Sequence, residues 1–598
     1  MNLLSRLKRI GAANKTSVTL PITVAVLSVE MVKEENFTDG ADEEMLGVGT
    51  NSADEKLAER RDEVKFIKGD QQNGDAKIDI GNLNGKPAFT GMSKEELLKY
   101  ANDPFWVRLR WIFFVGFWAI WVAMLVGAIL IIVGAPKCAA PQPLPWYKRG
   151  LHAKFGNVDT AKQEDVQAAQ KLFASGAIYE LPAAQTYDVM KPDVEAQIQQ
   201  LVDLYKSSDV KVVLDLTANY VHNNSQLLLD ALADKEKRGA FVWIEGATEL
   251  PNKWKMVGGN STAWAQLEDG SYLLSQFGSG NYDLKMNSTL VRHEFGQVLR
   301  HLLGLGVHGF RLKNTKFFLI NDDLRDEGIS PTPQEFNMVD YGFYTHTQTT
   351  FQNGLGDVLY DYLDMVKNIS ADAFLSVAED IIQPQAYVLS EAGGALGIDL
   401  PMYGDFVKAL SSPKQANKMT LMQQLQQVFI ETGNSSWLQW NFADVHLDTT
   451  SHPSALALFM SLLRGVPVVP VDSIEYSRVS RDTYSEIQQL RLSPSYMHGE
   501  MQIYEANQLI AYSRIKSGSP GYFVIFNPSD LPQRSNFTGE EEHKLPEKMT
   551  VSYFSENYNG DDNGNSTKVV HSSKVNLNEL LVAPHATIIL TYVPVKSE

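Results

Sequence analysis

From Trp111 to Pro136 the chain runs for 26 residues without a charged side chain, WIFFVGFWAIWVAMLVGAILIIVGAP. No other feature restricts the fold as much, because a soluble helix keeps a polar face and this run has none. As a helix it would reach about 39 Å at 1.5 Å per residue, enough to cross a hydrocarbon core of about 30 Å. Trp106, Trp111 and Trp146 lie near its two ends, where indole rings favour the membrane interface. One lipid-embedded helix at 111–136 is therefore expected, with 1–110 on one side of the membrane and a neck at 137–150 on the other.

Charge does not orient this segment. Within about fifteen residues, Lys99, Arg108 and Arg110 precede it and Lys137, Lys148 and Arg149 follow it, a tie under the positive-inside rule. Glycosylation sequons stand on both sides, at Asn14 and Asn36 before it and at Asn223, Asn260, Asn287, Asn368, Asn434, Asn536 and Asn565 after it. A second apolar stretch, Val18–Val29, is interrupted by Thr19, Pro21, Thr23 and Ser28 and reads as non-spanning. Residues 34–84, polar and poor in aromatics, have the composition of an unstructured segment.

The net charge of −18 argues against a nucleic-acid partner, since a phosphate-binding surface is basic. The single cysteine, Cys138, excludes an intrachain disulfide and a thiolate zinc cluster. Residues 223–290 contain no dense cluster of oxygen ligands, so neither metal nor cofactor is expected.

Beyond the neck, short β runs alternate with helical stretches. Ala177–Leu181, Val210–Leu216, Gly306–Leu312, Phe374–Glu379 and Gly465–Val471 read as strands; Asp193–Lys206, Val291–Leu305 and Leu355–Lys367 read as helices. Such alternation predicts a parallel sheet, and its length suits a (β/α)8 barrel over 151–495. From 496 to 598 the pattern becomes all-β, as in MQIYEANQLIAYSRI and LLVAPHATIILTYVPV, which predicts an antiparallel β-sandwich.

Four segments in order carry a resemblance. VVLDLTANYVH places Asp215 and Asn219 four residues apart at the end of a third strand, and GVHGFRLKN places Arg311 and Lys313 on a fourth. LSVAED places Glu379 on a fifth, and SSWLQWNFAD places Asn441, Phe442 and Asp444 on a seventh. This order is similar to the signature motifs of the α-amylase family, in its α-glucosidase-like branch. The resemblance implies an α-amylase-type barrel with a shortened loop domain at about 223–290.

Retaining glycosidases need one carboxylate as nucleophile and another as acid/base. Glu379 stands where the family places its acid, but Lys313 occupies the place of the nucleophile. An ammonium has no free lone pair at neutral pH and cannot form a glycosyl ester. At about 4 Å and an effective dielectric near 20 it would also oppose a cationic transition state by about 4 kcal/mol, roughly a thousandfold in rate. The family histidines are replaced by Tyr220 and Phe442, and the last carboxylate is absent or displaced to Asp444. Asp215, Arg311, Lys313, Glu379 and Asp444 thus read as relics of a catalytic site, with no catalytic residue remaining.

A membrane-anchored, inactive amylase-like domain resembles the heavy subunits of heteromeric amino-acid transporters. That resemblance implies a plasma-membrane protein of type II topology with a cytoplasmic N-terminus and an extracellular barrel. It also implies that Cys138 forms an interchain disulfide with a polytopic light chain, whose stability and trafficking the heavy chain supports. One helix cannot itself form a substrate pathway. Gly116, Ala119, Ala123 and Gly127 would let a neighbouring helix approach closely. A membrane-anchored α-glucosidase and a surface adhesion scaffold are the competing readings.

Overall fold

In the computed structural model, residues 94–134 and 143–594 are described, except 392–393, most of 405–436, 443–452, 472–478, 507, 538–544 and 560–567. Cys138, Asp444, Asn434, Asn565, the stretch 18–29 and the segment 34–84 lie outside the described residues. The chain divides into two units, residues 1–135 and 136–598.

The first unit carries one long helix, Pro104–Gly134, of 31 residues. It starts seven residues before the uncharged run, because the Asp103 carboxylate accepts the Phe105 N–H at 2.9 Å and Pro104 supplies a ready-made first-turn φ. Arg108 and Arg110 therefore belong to the same helix, which has no buried residue. It is long and apolar enough to cross a membrane. Trp111, Phe114, Trp118 and Trp121 form an edge-to-face ladder along one side.

The second unit is built on eight parallel strands. These are β1 (His152–Asn157), β2 (Gly176–Glu180), β3 (Lys211–Thr217), β4 (Gly309–Lys313), β5 (Phe374–Val377), β6 (Met402–Tyr403), β7 (Gln439–Asn441) and β8 (Val466–Pro470). The ladder runs β5-β4-β3-β2-β1-β8-β7-β6, which leaves one seam between β5 and β6. Two backbone hydrogen bonds cross it, Asp399 N–H to Leu375 O at 3.0 Å and Ile381 N–H to Met402 O at 2.9 Å. Side chains add to these: the Gln439 amide donates to Ser376 Oγ, Leu400 O and Val377 O, Ser376 Oγ donates to Leu400 O, and the Asp399 carboxylate accepts the Leu375 N–H at 3.3 Å. The (β/α)8 barrel expected from the alternation of strands and helices is therefore the observed architecture.

Local sequence explains these elements. In β3 every residue from Val212 to Thr217 is buried, as required of a parallel strand covered on both faces. The helix Thr289–Leu305 is capped by Ser288 and buries Val291, Phe295, Val298, Leu299 and Leu302, a 3.6-residue stripe. It stops at Gly306, whose φ of +103° strains any side-chain-bearing residue. The excursion between β3 and β4 forms a two-stranded ribbon, Tyr220–His222 with Asn281–Asp283, and a three-stranded sheet around stacked Trp254 and Trp264.

From residue 500 the chain is antiparallel. Strands β9 (Glu500–Ala506), β10 (Leu509–Ile515), β11 (Gly521–Phe526), β12 (Lys548–Phe554), β13 (Lys574–Asn576) and β14 (Thr587–Tyr592) pair in the order β9-β10-β11-β14-β12-β13. One face, with Ile510, Tyr512, Val524, Phe526 and Ile589, joins the barrel core. The opposite face, with Ala511, Phe523, Ile525, Ile588 and Leu590, packs under Phe537 and Val582, the latter in a second, two-stranded sheet. Period-two alternation thus separates the two cores.

Candidate functional site

Residues at the carboxyl ends of the strands in a parallel barrel meet at one mouth, and this face of the fold carries its chemistry. Asp215 and Arg311 face each other on adjacent strands, in register. Arg311 Nε donates to Asp215 Oδ1 at 2.7 Å and Nη2 to Oδ2 at 2.9 Å, while Nη1 donates to Gln439 Oε1 at 3.2 Å. Arg311 is 0 % and Asp215 1 % exposed, so the guanidinium is both desolvated and fully engaged. A bidentate carboxylate and an amide replace the water it lost. Beneath this network His152 is buried with neither ring nitrogen bonded. Burial first, then the charges of Arg311 and Arg491, lower its pKa to about 3, which keeps it neutral.

Lys313 is the last residue of β4, and its Nζ lies 2.5 Å from Glu180 Oε1, at the end of β2. Both side chains are about one-third exposed, 35 % and 34 %. The next residue, Asn314, adopts a left-handed φ of +59° that turns the chain sharply. Its N–H then donates to Glu379 Oε2 at 3.2 Å, and Thr315 Oγ1 donates to Oε1 at 2.9 Å. Thr315 Oγ1 also lies 3.0 Å from the buried Tyr387 hydroxyl. The Asn314 amide donates to Asn219 Oδ1 at 3.4 Å. Asn441, on β7, donates to Asp380 Oδ1 at 3.3 Å. Phe442 is buried at 2 % exposure.

Tyr220 stacks on Phe277 with ring centroids 4.9 Å apart, and Phe277 meets Phe317 edge-on. Burial raises the Tyr220 phenol pKa, and the Lys313 charge works against that rise. The fold therefore brings Asp215 and Arg311 into one ion pair and holds Glu379 by the turn after β4. Three participants escaped the motif reading: Glu180, Gln439 and Phe277. Glu180 and Gln439 lie inside segments recognised as strands, so the common orientation of strand ends was the available signal. Phe277 sits in the excursion and offered none.

No group of three or more histidine, cysteine, aspartate or glutamate side chains among the described residues is placed to hold a metal ion. The sequons at Asn223, Asn260, Asn287, Asn368 and Asn536 are all exposed.

Residues 75–153 match the family model for the N-terminus of solute carrier family 3 member 2, and residues 193–443 match the catalytic domain of alpha amylase. Part of the chain is thus similar to the amino-acid transporter heavy chains. The rabbit (Oryctolagus cuniculus) amino acid transporter heavy chain SLC3A2 is 30 % identical over 206 residues, 30 % of this chain and 39 % of that protein. The rat (Rattus norvegicus) heavy chain SLC3A1 is 24 % identical over 318 residues, 48 % of this chain and 45 % of that protein. The matched stretches thus span less than half the length of these relatives. Among solved structures, Bacillus licheniformis trehalose-6-phosphate hydrolase superposes with a TM-score of 0.57 at 14 % identity, over 75 % of this chain and all of that one. At that identity the likeness is one of fold. Partial similarity to heavy chains and an amylase-type barrel thus coincide in a chain whose β4 ends in an ion-paired lysine.

Proposed function

We propose that this chain is the non-catalytic heavy subunit of a heterodimeric amino-acid transporter. It joins a polytopic light chain through a disulfide at Cys138 and through the helix Pro104–Gly134. It stabilises that subunit and escorts it to the plasma membrane, with the N-terminus cytoplasmic and the barrel outside. The domain plan is an N-terminal region to 110, a span at 111–136, a neck at 137–150, a barrel at 151–495 with a loop domain at about 223–290, and a β domain at 496–598.

The observation that carries the reading is Lys313, an ammonium at the end of β4 bound to Glu180. It offers no nucleophile. The carboxylate beside it is held as its counter-ion, and Asp215 is consumed by Arg311. The family-model match over residues 75–153 and the similarity to heavy chains support the transporter role.

Non-reducing gels of the full chain expressed with its light chain test this. A high-molecular-weight species that Cys138→Ser abolishes supports the reading, and an unchanged band pattern removes the disulfide from it. A second reading, a membrane-anchored α-glucosidase, draws on Glu379 held by Asn314 and Thr315. Turnover of a chromogenic α-glucoside that Glu379→Gln or Glu180→Gln eliminates would establish that reading instead.

A further inference from the structure

An open cleft of about 780 Å³ separates the amino-terminal ends of β7 and β8 from the first strands of the C-terminal sheet. It lies at the end of the barrel opposite Lys313 and Glu379. Trp437, Met497, Met501 and Ile503 contribute apolar lining, and Arg464 and Arg514 contribute charge.

Arg514 is the unusual member. It is 1 % exposed, and its Nη2 donates to Tyr496 O, but Nε and Nη1 have no hydrogen-bond partner. Among the described residues no carboxylate lies within ion-pair distance of it. Its neighbour Arg491 is buried just as deeply, yet donates to the carbonyl oxygens of Arg149, Ser461, Lys148 and Gly465. Both guanidinium groups pack on the Tyr496 ring, with centroid distances of 4.7 and 5.0 Å. Aromatic stacking compensates part of the lost hydration but leaves two donors unused.

Charge sharpens the contrast. Two arginines, 464 and 514, line the cleft in a chain of net charge −18, and Glu500 is the one carboxylate among its lining residues. A cationic cleft with low-dielectric walls concentrates anions locally. Two unused donors beside apolar walls suit a group with both an acceptor pair and a hydrophobic body.

We propose that this cleft binds a small organic monocarboxylate. Its carboxylate answers Arg464 and Arg514, the latter once the side chains over its Nε and Nη1 move aside, and its apolar body lies against Trp437 and the two methionines. The proposal concerns a surface remote from the barrel mouth and does not depend on the transporter reading.

Isothermal titration of the full chain in detergent tests it, with 3-phenylpropionate as the probe and 3-phenylpropanamide as its neutral match. Inorganic phosphate serves as a purely ionic control. We expect saturable one-to-one binding of the carboxylate, with the amide and phosphate each at least tenfold weaker. Arg464→Gln and Arg514→Met should each weaken the carboxylate at least tenfold. If Arg514→Met loses its near-ultraviolet circular dichroism, the half-buried Arg464→Gln decides alone. The proposal is overturned by absent saturable binding to folded wild type, by an amide or phosphate that binds as well, or by undiminished binding to Arg464→Gln.

Discussion

Arg311 and Arg514 are buried equally deeply in the same unit, and the chain treats them in opposite ways. Arg311 lies in a parallel barrel, where β3 and β7 present Asp215 and Gln439 to all three of its donor groups. Arg514 lies on β10, at the joint between barrel and C-terminal sheet, with an aromatic ring and one carbonyl. A buried charge that is fully paired fixes geometry, and removing its partner exposes a large desolvation cost. A buried charge left part-paired has less to lose. The lesson is that burial alone does not rank the importance of an arginine; the occupancy of its donors does.

Substitution can break or sharpen this contrast. The largest effect is expected from Asp215→Ala, which strands Arg311 without its counter-ion and should cost about 3–5 kcal/mol in chemical denaturation. A cost below about 1 kcal/mol would show that Arg311 is less dependent on its partner than its geometry implies. Next comes the pH response of His152. Its folded pKa of about 3 lies below the unfolded value near 6.5, so its contribution is complete above pH 6.5 and is lost as pH falls toward 3. Urea midpoints measured across that window should carry a slope of up to about 1.4 kcal/mol per pH unit that His152→Leu removes. Arg514→Met comes third. It discards an incompletely paired charge while keeping apolar volume, and should stay within about 1.5 kcal/mol of wild type by the same assay. Smallest is Lys313→Met, at or below about 1 kcal/mol, since the Lys313–Glu180 pair is a third exposed and screened by solvent.

Much of the scaffold was legible because period and burial coincide. Val291–Leu305 read as a helix, whose stripe Val291, Phe295, Val298, Leu299 and Leu302 is buried, and Val210–Leu216 read as a strand of a parallel sheet, which burial on both faces matches. The long apolar helix was visible from its missing charges, but its true start needed the Asp103 cap and Pro104. Asp215, Arg311, Lys313 and Glu379 were found through spaced motifs on strands. Their partners were harder to see. Glu180 meets Lys313 across 133 residues of sequence, and Gln439 meets Arg311 across 128, so only the assembled barrel reveals either pair. Arg514 carries no sequence signal at all, because an arginine in a strand looks the same whether its donors are filled or empty.

The stitched junction between β5 and β6 has a further consequence for how the barrel breathes. Seven of the eight neighbour relations are held by ladders of main-chain bonds, whereas this one has two main-chain bonds supplemented by the side chains of Gln439, Ser376 and Asp399. A cylinder fastened unevenly opens at its weakest stave. The first amides to exchange with solvent should therefore border this seam, where Gln439 is one of the few side chains that keep the ring shut.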